Sequence, residues 1–383
     1  MRTSVKRDTA ITSGEIAMTT GYVWNELYGW HNTSNYAGFL VPSTTVQPYQ
    51  HFESAESKVR FNSLVEVSGL TKHLVRIDAV PATVEDILRV HTPEHIERIQ
   101  RESQLDKGGD AGDGESPFGN GGYDIALLAA GGAIQALRAV VEGTVNNAYA
   151  LVRPPGHHAR PSQGMGFCIF GNAAVAIQHV RAHLGVERVA VVDWDVHHGN
   201  GTQEIFDADP NVLKISIHQD NLFPYMSGPM TARGVGDAEG SAINIPLPAG
   251  CGNGAYFEVM QRIVLPAVRR FNPDVIVVPS GFDASAADPL GRMMVTASGY
   301  SQMTAMLLDV ADEVCDGKLM MTHEGGYSPT YVPYCGLAVL ETMSGVKTAI
   351  EDVFGGGYNE LPDQAIKAHQ REVIDQVVAL TGL

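Results

Sequence analysis

The sequence is poor in cysteine and lacks any long uninterrupted apolar run. Its four cysteines, Cys168, Cys251, Cys315 and Cys335, are scattered with no C-x-x-C pair, which favours reduced thiols in a cytoplasm over a disulfide framework. No stretch of about 18 apolar residues appears, so we expect no membrane span. The first 20 residues carry charges and no continuous apolar segment. We therefore expect no secretory signal and predict a disordered tail over residues 1–20.

Basic residues are also scarce. The 383 residues include 26 Lys and Arg against 43 Asp and Glu, which gives a net charge of −17. No basic stripe is visible, so we expect no nucleic-acid partner. The excess acid indicates a solvated surface, and mild attraction of cationic substrates is the alternative interpretation. No Pro- or Ser-rich linker divides the chain, which predicts one domain over residues 21–383.

Helical and strand patterns alternate along the chain. The predicted strands, at 188–195, 212–218, 274–280 and 318–323, are short, β-branched and almost entirely apolar. Strands of this kind are buried on both faces, as in a parallel sheet. The predicted helices are at 124–142, 171–184, 254–270, 297–315 and 330–344. This alternation predicts an α/β fold with a single doubly wound, mainly parallel sheet and helices on both faces.

Polar residues follow three of these strands. Asp193, Asp195 and His197 alternate along an extended segment and can share one face, and Asp283 ends another apolar strand. Ligands of such sheets bind beyond the carboxyl ends of the strands. Two carboxylates and one imidazole leave a coordination position open, as catalytic metal sites do. Asp195, His197 and Asp283 are therefore candidate ligands for zinc, with Fe²⁺ or Co²⁺ as alternatives. The competing interpretation is that the aspartates cap helices and His197 is a core histidine.

A second group of candidates lies in R-P-P-G-H-H at 153–158. The prolines and the glycine predict a rigid turn that gives His157 and His158 a definite direction. Hydrolysis needs a base for the attacking water and an acid for the leaving amine, and two histidines near a metal can fill these roles. Asp193 and Asn200 are candidate partners for their far nitrogens. A structural turn that carries histidines by chance is the alternative.

Tyr327 and His198 have different expected roles. Tyr327 follows two glycines that allow close backbone approach, and its phenol can donate to the oxyanion of a tetrahedral intermediate. A surface aromatic is the alternative for such a tyrosine. By strand alternation, His198 points away from His197, so we interpret it as structural.

Together these segments resemble the histone deacetylase superfamily. The resemblance rests on R-P-P-G-H-H, G-M-G-F-C-I-F-G-N, D-W-D-V-H-H-G-N-G-T-Q, S-G-F-D-A-S-A-A-D-P-L and H-E-G-G-Y, and it runs from about Gly21 to the C-terminus. The chain is most similar to the class II branch and to bacterial histone-deacetylase-like amidohydrolases. Asn200 stands where many deacetylases carry Asp, and Asn is typical of class II.

The resemblance implies the arginase–deacetylase fold, a zinc amidohydrolase and a role for each motif. Zinc would be held by Asp195, His197 and Asp283. The catalytic group would be His157, His158 as general base, Tyr327, Asp193 behind His157 and Asn200 behind His158. The acyl-lysine tunnel would be lined by Gly166, Phe167, Leu222, Phe223 and Leu290. A structural potassium would lie near Asp193, Asp195, His197, Ser216 and Ile217.

The expected reaction is removal of acetyl or other acyl groups from N-acetylated amines such as acetyl-lysine, by metal-activated attack of water. Acetylpolyamines, a xenobiotic amide or an ester are alternative substrates. A two-manganese ureohydrolase of the arginase type is disfavoured because Asp283 is followed by Ala and Ser285, without a second carboxylate. A non-catalytic module that binds acyl ligands is a remote alternative, and homo-oligomers are common among such relatives.

The Gly- and Asp-rich stretch 104–122 is predicted to be a long loop. Long loops in compact domains are often functional, so we expect it to form the rim that selects substrates. Asp110 or Asp113 is the candidate for holding the backbone or a cationic group of the substrate. A solvated acidic loop is the alternative.

Overall fold

The computed structural model describes residues 19–383. The predicted tail, residues 1–20, lies outside the described residues except for Thr19 and Thr20. Thr20 is the first residue of the first strand, where its backbone pairs with Asn147 of a neighbouring strand.

Eight parallel strands form one sheet, and a two-stranded antiparallel hairpin lies apart from it. The strands are β1 (Thr20–Val23), β2 (Leu74–Arg76), β3 (Gly109–Asp110), β4 (Pro117–Phe118), β5 (Asn147–Ala150), β6 (Val189–Asp193), β7 (Val212–Gln219), β8 (Ala242–Leu247), β9 (Val275–Ser280) and β10 (Leu319–His323). The order in the sheet is β2-β1-β5-β10-β9-β6-β7-β8, while β3 pairs with β4 inside the predicted loop 104–122. All pairings within the large sheet are parallel.

The helices divide into two groups that cover the two faces of the sheet. They are α1 (Glu56–Val67), α2 (Val84–Leu88), α3 (Pro93–Glu102), α4 (Gly122–Val141), α5 (Asn172–His183), α6 (Asn200–Phe206), α7 (Asn253–Val259), α8 (Leu265–Phe271), α9 (Ala297–Cys315), α10 (Val332–Ser344), α11 (Gly355–Tyr358) and α12 (Ala368–Thr381). A π-helical turn, Met260–Val264, joins α7 to α8. Helices α4 and α5 contact each other in one group, and α1, α10, α9 and α8 contact in succession in the other. The predicted doubly wound α/β fold is confirmed.

The predicted elements appear within a few residues of their expected bounds. The central strands β6, β9 and β10 are buried along their whole length, as their apolar runs predict. Helix α4 is long and apolar enough to cross a membrane by length and composition alone. However, 67% of its 18-residue apolar window is buried inside the protein. Its contacts with α5, β1 and β5 are those of a core helix.

The topology brings four chemistry-bearing segments to one edge of the sheet. Strands β5, β10, β9 and β6 are consecutive neighbours and run parallel, so their carboxyl ends meet. The segments that follow them contain, respectively, the histidine pair, the H-E-G-G-Y run, Asp283 and the D-W-D-V-H run. Residues separated by up to about half the chain thus reach one site, as expected for this class of fold.

Candidate active site

The three predicted metal ligands lie together at the ends of β6 and β9. His197 Nδ1 is 3.1 Å from Asp195 Oδ1 and 3.1 Å from Asp283 Oδ2. One ligand atom from each residue lies within 4.8 Å of the others, and all three residues are buried. The second oxygen of each carboxylate is held by the backbone, since Gly325 N–H donates to Asp195 Oδ2 (2.8 Å) and Val196 N–H to Asp283 Oδ1 (2.8 Å). Neither carboxylate caps a helix in the described chain, so the geometry favours a ligand set.

The electrostatics of this cluster favour a bound cation. Burial and the neighbouring Asp195 carboxylate raise the pKa of Asp283 to about 6. Burial would lower the pKa of His197, but hydrogen bonds with the two carboxylates raise it to about 10, so the carboxylates attract a positive charge, and a metal ion would take the place of the imidazole proton. Burial also raises the pKa of Asp288 and of Glu324 to about 7. Buried acids that resist ionisation are relieved by a nearby positive charge, which a divalent ion supplies.

The backbone packs so closely against these carboxylates that position 325 requires a glycine. A Cβ on Gly325 would lie 2.0 Å from Asp283 Oδ2 and 2.7 Å from Asp195 Oδ2. Any side chain there would displace both oxygens. The glycine in H-E-G-G-Y therefore permits the close approach that sets the ligand geometry.

A second donor set, Asp86, His179 and His183, lies between α2 and α5 near the surface. Its geometry is less suited to a metal. Asp86 Oδ2 accepts from Thr83 Oγ1 (2.6 Å) in a helix cap, and Oδ1 lies 2.8 Å from His179 Nδ1. The guanidinium Nη2 of Arg89 is 3.3 Å from His183 Nε2 and places a positive charge beside the set. We interpret this group as a polar contact between helices.

The two predicted catalytic histidines lie next to each other beside the ligand set, with ring planes tilted by 44°, and each has a different partner. His157 Nδ1 is 2.9 Å from Asp193 Oδ2, and His158 Nδ1 is 2.7 Å from Asn200 Oδ1. Their ring centroids are 3.9 Å apart. Glu324 fixes the turn, because its Oε2 accepts the N–H groups of Gly156 (2.6 Å) and His157 (3.0 Å). Both predicted pairings are therefore present, and the role of Glu324 as their anchor was not predicted.

The partners and surroundings favour opposite protonation states for the two rings. Burial, His157 and His197 hold the pKa of His158 well below its usual value. Burial acts the same way on His157, but the carboxylates of Asp195 and Asp193 outweigh it and raise the pKa of His157 well above the usual value. Two titratable groups whose environments separate their pKa values are typical of an acid–base pair.

The neighbouring His198 is separate from this group, as predicted, although strand alternation is not the reason, because β6 ends at Asp193 and residues 195–197 form a bend. Its Nδ1 is 2.7 Å from Ser227 Oγ, and its Nε2 is 2.9 Å from Gln203 Oε1. Both ring nitrogens are thus used in packing contacts, and burial lowers the pKa of His198 to about 4. These contacts are those of a structural residue.

Tyr327 is buried beside the ligand set. Its backbone N–H donates to Asp288 Oδ2 (2.7 Å), and its ring meets the edge of Phe167 with centroids 5.7 Å apart. Lys58 Nζ lies 5.1 Å from the ring centroid. Ser57 Oγ donates to Gly326 O (2.9 Å), so α1 holds the loop that carries the tyrosine.

A cavity of about 560 Å³ leads to these side chains. It is lined by His158, His197 and Tyr327, together with all five residues predicted for the tunnel, Gly166, Phe167, Leu222, Phe223 and Leu290. The lining residues that sequence reasoning missed are Phe39, Phe52, Glu115, Pro289 and Arg292. Pro289 and Arg292 lie within two residues of the predicted Leu290, so their proximity in sequence could have indicated them. Glu115 belongs to the predicted rim loop 104–122, whereas Phe39 and Phe52 come from loops whose position no sequence pattern specified.

The predicted rim loop uses its two candidate carboxylates internally. Asp110 Oδ1 accepts from Gly112 N–H and Gly114 N–H, both at 2.8 Å. Asp113 Oδ2 accepts from Gly166 N–H (2.7 Å) and therefore supports the tunnel wall. Neither aspartate lines the cavity, whereas Glu115 does. The loop forms part of the rim, but the structure points to a different carboxylate from the two predicted.

The residues predicted around a potassium ion lie on adjacent strands. Ser216 on β7 pairs in register with Asp193 on β6, and Ile217 follows it in the same buried strand. Asp193 Oδ1 accepts from Asp195 N–H (3.0 Å). The backbone carbonyl oxygens of Asp195 and His197 accept no hydrogen bond from other described residues. Buried carbonyls of this kind need a donor or a cation.

A buried charge cluster behind the site was not predicted. The Glu53 carboxylate is 3.1 Å from Lys58 Nζ, and Arg153 Nε donates to both of its oxygens, at 2.9 and 3.1 Å. All three side chains are almost completely buried. Arg153 begins the R-P-P-G-H-H segment, and Lys58 contacts the Tyr327 ring. The cluster therefore ties the histidine segment to the tyrosine loop.

Comparison with known proteins agrees with this geometry. A family model described as a histone deacetylase domain matches residues 51–343. The chain is 48% identical to a histone deacetylase-like amidohydrolase of Pseudomonas aeruginosa, over 95% of this chain and 96% of the relative. It is 38% identical to a probable deacetylase of Archaeoglobus fulgidus, over 86% and 87%. The crystal structure of the HDA15 HD domain superposes with a TM-score of 0.83 at 31% identity, covering 95% of this chain and 94% of that one.

Proposed function

Because the chain belongs to the histone deacetylase family, we propose that it is a zinc-dependent amidohydrolase that removes acetyl groups from N-acetylated amines such as acetyl-lysine. Family membership supports a deacetylase. The observation that carries the finer proposal is the buried set of Asp195, His197 and Asp283. It stands at the end of a cavity that also presents His158 and Tyr327.

The donor set fits one divalent ion. Two carboxylate oxygens and one imidazole nitrogen suit zinc, and the oxygen-rich set keeps Fe²⁺ and Co²⁺ as alternatives. When bound, such an ion polarises the amide carbonyl and makes water more acidic. The ligand loops are held by backbone hydrogen bonds from Val196 and Gly325, so the three donors need little rearrangement.

His158 is the proposed general base. Its Nδ1 is paired with the neutral Asn200 side chain, which leaves Nε2 for the cavity and does not stabilise a charged ring as a carboxylate would. It takes a proton from the attacking water. His157 is paired with the Asp193 carboxylate, which favours a protonated ring. A protonated histidine of this pair then supplies the proton that releases the amine.

Tyr327 is the proposed oxyanion donor. Tyr327 lines the cavity, and burial together with nearby carboxylates raises the pKa of Tyr327 well above its usual value, so the phenol keeps its proton. A neutral O–H can donate to the oxygen that becomes negative in the tetrahedral intermediate. Such a donor is typically worth about 3–4 kcal/mol. The apolar walls at Phe167 and Phe223 favour a long acyl-amine chain in the tunnel.

A structural potassium ion is part of the proposal. The oxygen atoms that an alkali cation could bind belong to the Asp193 carboxylate, the Ser216 hydroxyl and the backbone carbonyls of Asp195 and His197. These carbonyls accept no hydrogen bond from residues 19–383, and Ile217 lies beside them. An ion there would fix the β6 segment that carries the zinc ligands. The pairing of Asp193 with Ser216 supports this assignment.

Acetylpolyamines, a xenobiotic amide or an ester remain candidate substrates for the same chemistry, because the tunnel specifies the acyl-amine chain more than the rest of the molecule. An arginase-type reaction is disfavoured by Ala284 and Ser285 after Asp283. A pure binding module is disfavoured because every catalytic group is retained. We also propose a cytoplasmic location and no nucleic-acid or membrane partner, with a homo-oligomer as the candidate assembly. The four buried free thiols and the net charge of −17 support the first two points.

Acetate release tests the proposal. Zinc-loaded protein is given an acetyl-lysine peptide and an acetylated polyamine, each with and without a chelator. We expect turnover of at least one, lost with chelator and restored by zinc. The His158→Ala variant should lose this turnover, whereas His73→Ala, at a histidine outside the cavity, should keep it. Chelator-resistant turnover or an active His158→Ala variant would contradict the mechanism.

A further inference from the structure

The side-chain amide of Asn200 has two ends with opposite hydrogen-bonding character, and each end has its own partner. Its Oδ1 lies 2.7 Å from His158 Nδ1, and its Nδ2 donates to the thioether sulfur of Met165 at 3.4 Å. An amide oxygen only accepts, so its contact with His158 requires the ring proton to be on Nδ1. In a neutral imidazole, Nε2 then has the lone pair that a general base needs.

This tautomer depends on which way the amide is turned. A carboxylate at position 200 would present an oxygen to His158 in either orientation, whereas an amide turned over would present its NH₂ group. The ring would then accept at Nδ1 and carry its proton on Nε2, where it cannot take a proton from water. A neutral partner for His158 therefore needs a further contact that fixes the orientation of its amide.

Met165 supplies such a contact. A thioether sulfur accepts weakly and has no hydrogen to donate, so it favours the NH₂ end of the Asn200 amide over the oxygen. Within residues 19–383, Met165 Sδ is the only hydrogen-bond partner of Asn200 Nδ2. The backbone of Met165 is itself fixed, because its carbonyl oxygen accepts from Cys168 N–H (2.9 Å) across a two-residue turn.

The contact between Met165 and Asn200 lies outside the substrate tunnel. His158 lines the cavity that contains the tunnel, whereas Met165 and Asn200 line a second cavity of about 470 Å³. None of the three metal ligands lines this second cavity. Met165 thus reaches the catalytic histidine only through Asn200.

We propose that Met165 is a positioning residue that orients the Asn200 amide and thereby sets the tautomer of His158. This inference rests on the proposed general-base role of His158. A methionine that only filled space at the cavity wall could be replaced by another apolar side chain of similar volume without any effect on the tautomer.

Heteronuclear NMR of the histidine ring nitrogens tests the proposal with the zinc-loaded full chain, and the His158→Ala variant identifies the His158 signals. We expect Nδ1–H in the wild type and a measurable share of Nε2–H in Met165→Leu, which has similar volume but no acceptor. Met165→Gln, whose side-chain oxygen can accept from Asn200 Nδ2, should restore the wild-type tautomer. The control Met226→Leu changes an exposed methionine of the second cavity and should leave the tautomer unchanged.

Turnover of an acetyl-lysine peptide gives a second measurement. Met165→Leu should lower kcat by about fivefold, the size of one hydrogen bond, with KM unchanged, and Met165→Gln should recover kcat. In an Asn200→Ala background, Met165→Leu should have no further effect on kcat, because the residue acts through Asn200. A merely structural change in the neighbouring tunnel wall would instead raise KM in both backgrounds.

Three results would overturn the inference. They are an Nε2–H tautomer in the wild type, an unchanged tautomer in Met165→Leu, and an effect of Met165→Leu that adds in full to that of Asn200→Ala. The NMR experiment also separates this inference from the proposed function. If no amide is hydrolysed but the tautomer changes as expected, the role of Met165 stands and the proposed amide hydrolysis fails.

Discussion

Replacing Glu53 by Gln should destabilise the protein strongly near neutral pH and much less in acid. The carboxylate is fully buried between Lys58 Nζ at 3.1 Å and Arg153 Nε at 2.9 Å, and both cations are 1% exposed. Glutamine keeps the shape of the side chain but leaves two buried positive charges without an anion. Breaking a buried ion pair in this way typically costs about 3–5 kcal/mol.

The pKa of Glu53 gives a second measure of the same interaction. Burial alone would raise the pKa, but Arg153 and Lys58 outweigh burial and lower it from 4.5 to about 2. One pKa unit corresponds to about 1.4 kcal/mol, so the ionised form contributes roughly 3 kcal/mol. Because the folded pKa lies below the unfolded one, this stability is present above pH 4.5 and is lost as the pH falls towards 2.

Urea unfolding of metal-loaded protein at a series of pH values measures this contribution. The difference between wild type and Glu53→Gln should be roughly 3 kcal/mol at neutral pH and should narrow as the acid is protonated. Glu313→Gln, at an exposed pair with Arg269, should change stability little. Adding Lys58→Met to Glu53→Gln should recover part of the loss because one stranded cation is removed. A difference below about 1 kcal/mol, or one independent of pH, would refute the reasoning.

Three further predictions concern the site. Tyr327→Phe should lower kcat by about 10²–10³-fold with little change in KM, because the oxyanion donor acts in the transition state. The control variant Tyr358→Phe should leave kcat unchanged. A fully active Tyr327→Phe variant would contradict the proposed role of the phenol. In scanning fluorimetry, zinc should raise the Tm of the wild type, and it should raise the Tm of Asp283→Ala much less. Equal shifts would contradict the ligand assignment. Asp113→Ala removes the acceptor of the Gly166 N–H, the Glu115 N–H and the Ser116 hydroxyl, so the tunnel wall should loosen and kcat/KM should fall by about tenfold. An unchanged kcat/KM would contradict this.

Much of the fold could be predicted because the central strands are apolar along their whole length. Strands β6 (Val189–Asp193) and β9 (Val275–Ser280) were predicted at 188–195 and 274–280. Strand β5 was missed because N-A-Y-A is short and weakly apolar. Strand β8 (Ala242–Leu247) was also missed, because Asn244 and Pro246 interrupt its apolar pattern. It lies at the edge of the sheet, where a proline is tolerated.

The same contrast separates the predicted site residues from the missed ones. Side chains at strand ends could be predicted to meet because a parallel sheet brings those ends together. Phe39, Phe52 and Glu115 belong instead to loops outside the large sheet, and their approach to the cavity depends on tertiary packing. Glu53 was missed for a related reason, since its partner Arg153 is distant in sequence.

The carboxylates of the site also have a structural role, so a substitution cannot separate this role from metal binding. Each joins two strand-end segments, since Asp283 accepts from Val196 N–H, Asp195 from Gly325 N–H and Glu324 from His157 N–H. Removing a ligand carboxylate therefore loosens the neighbouring segment and removes a metal donor at once. Loss of activity in such a variant does not by itself identify the lost function. The Glu115 side chain has no internal partner among the described residues, so its substitution leaves the segments joined.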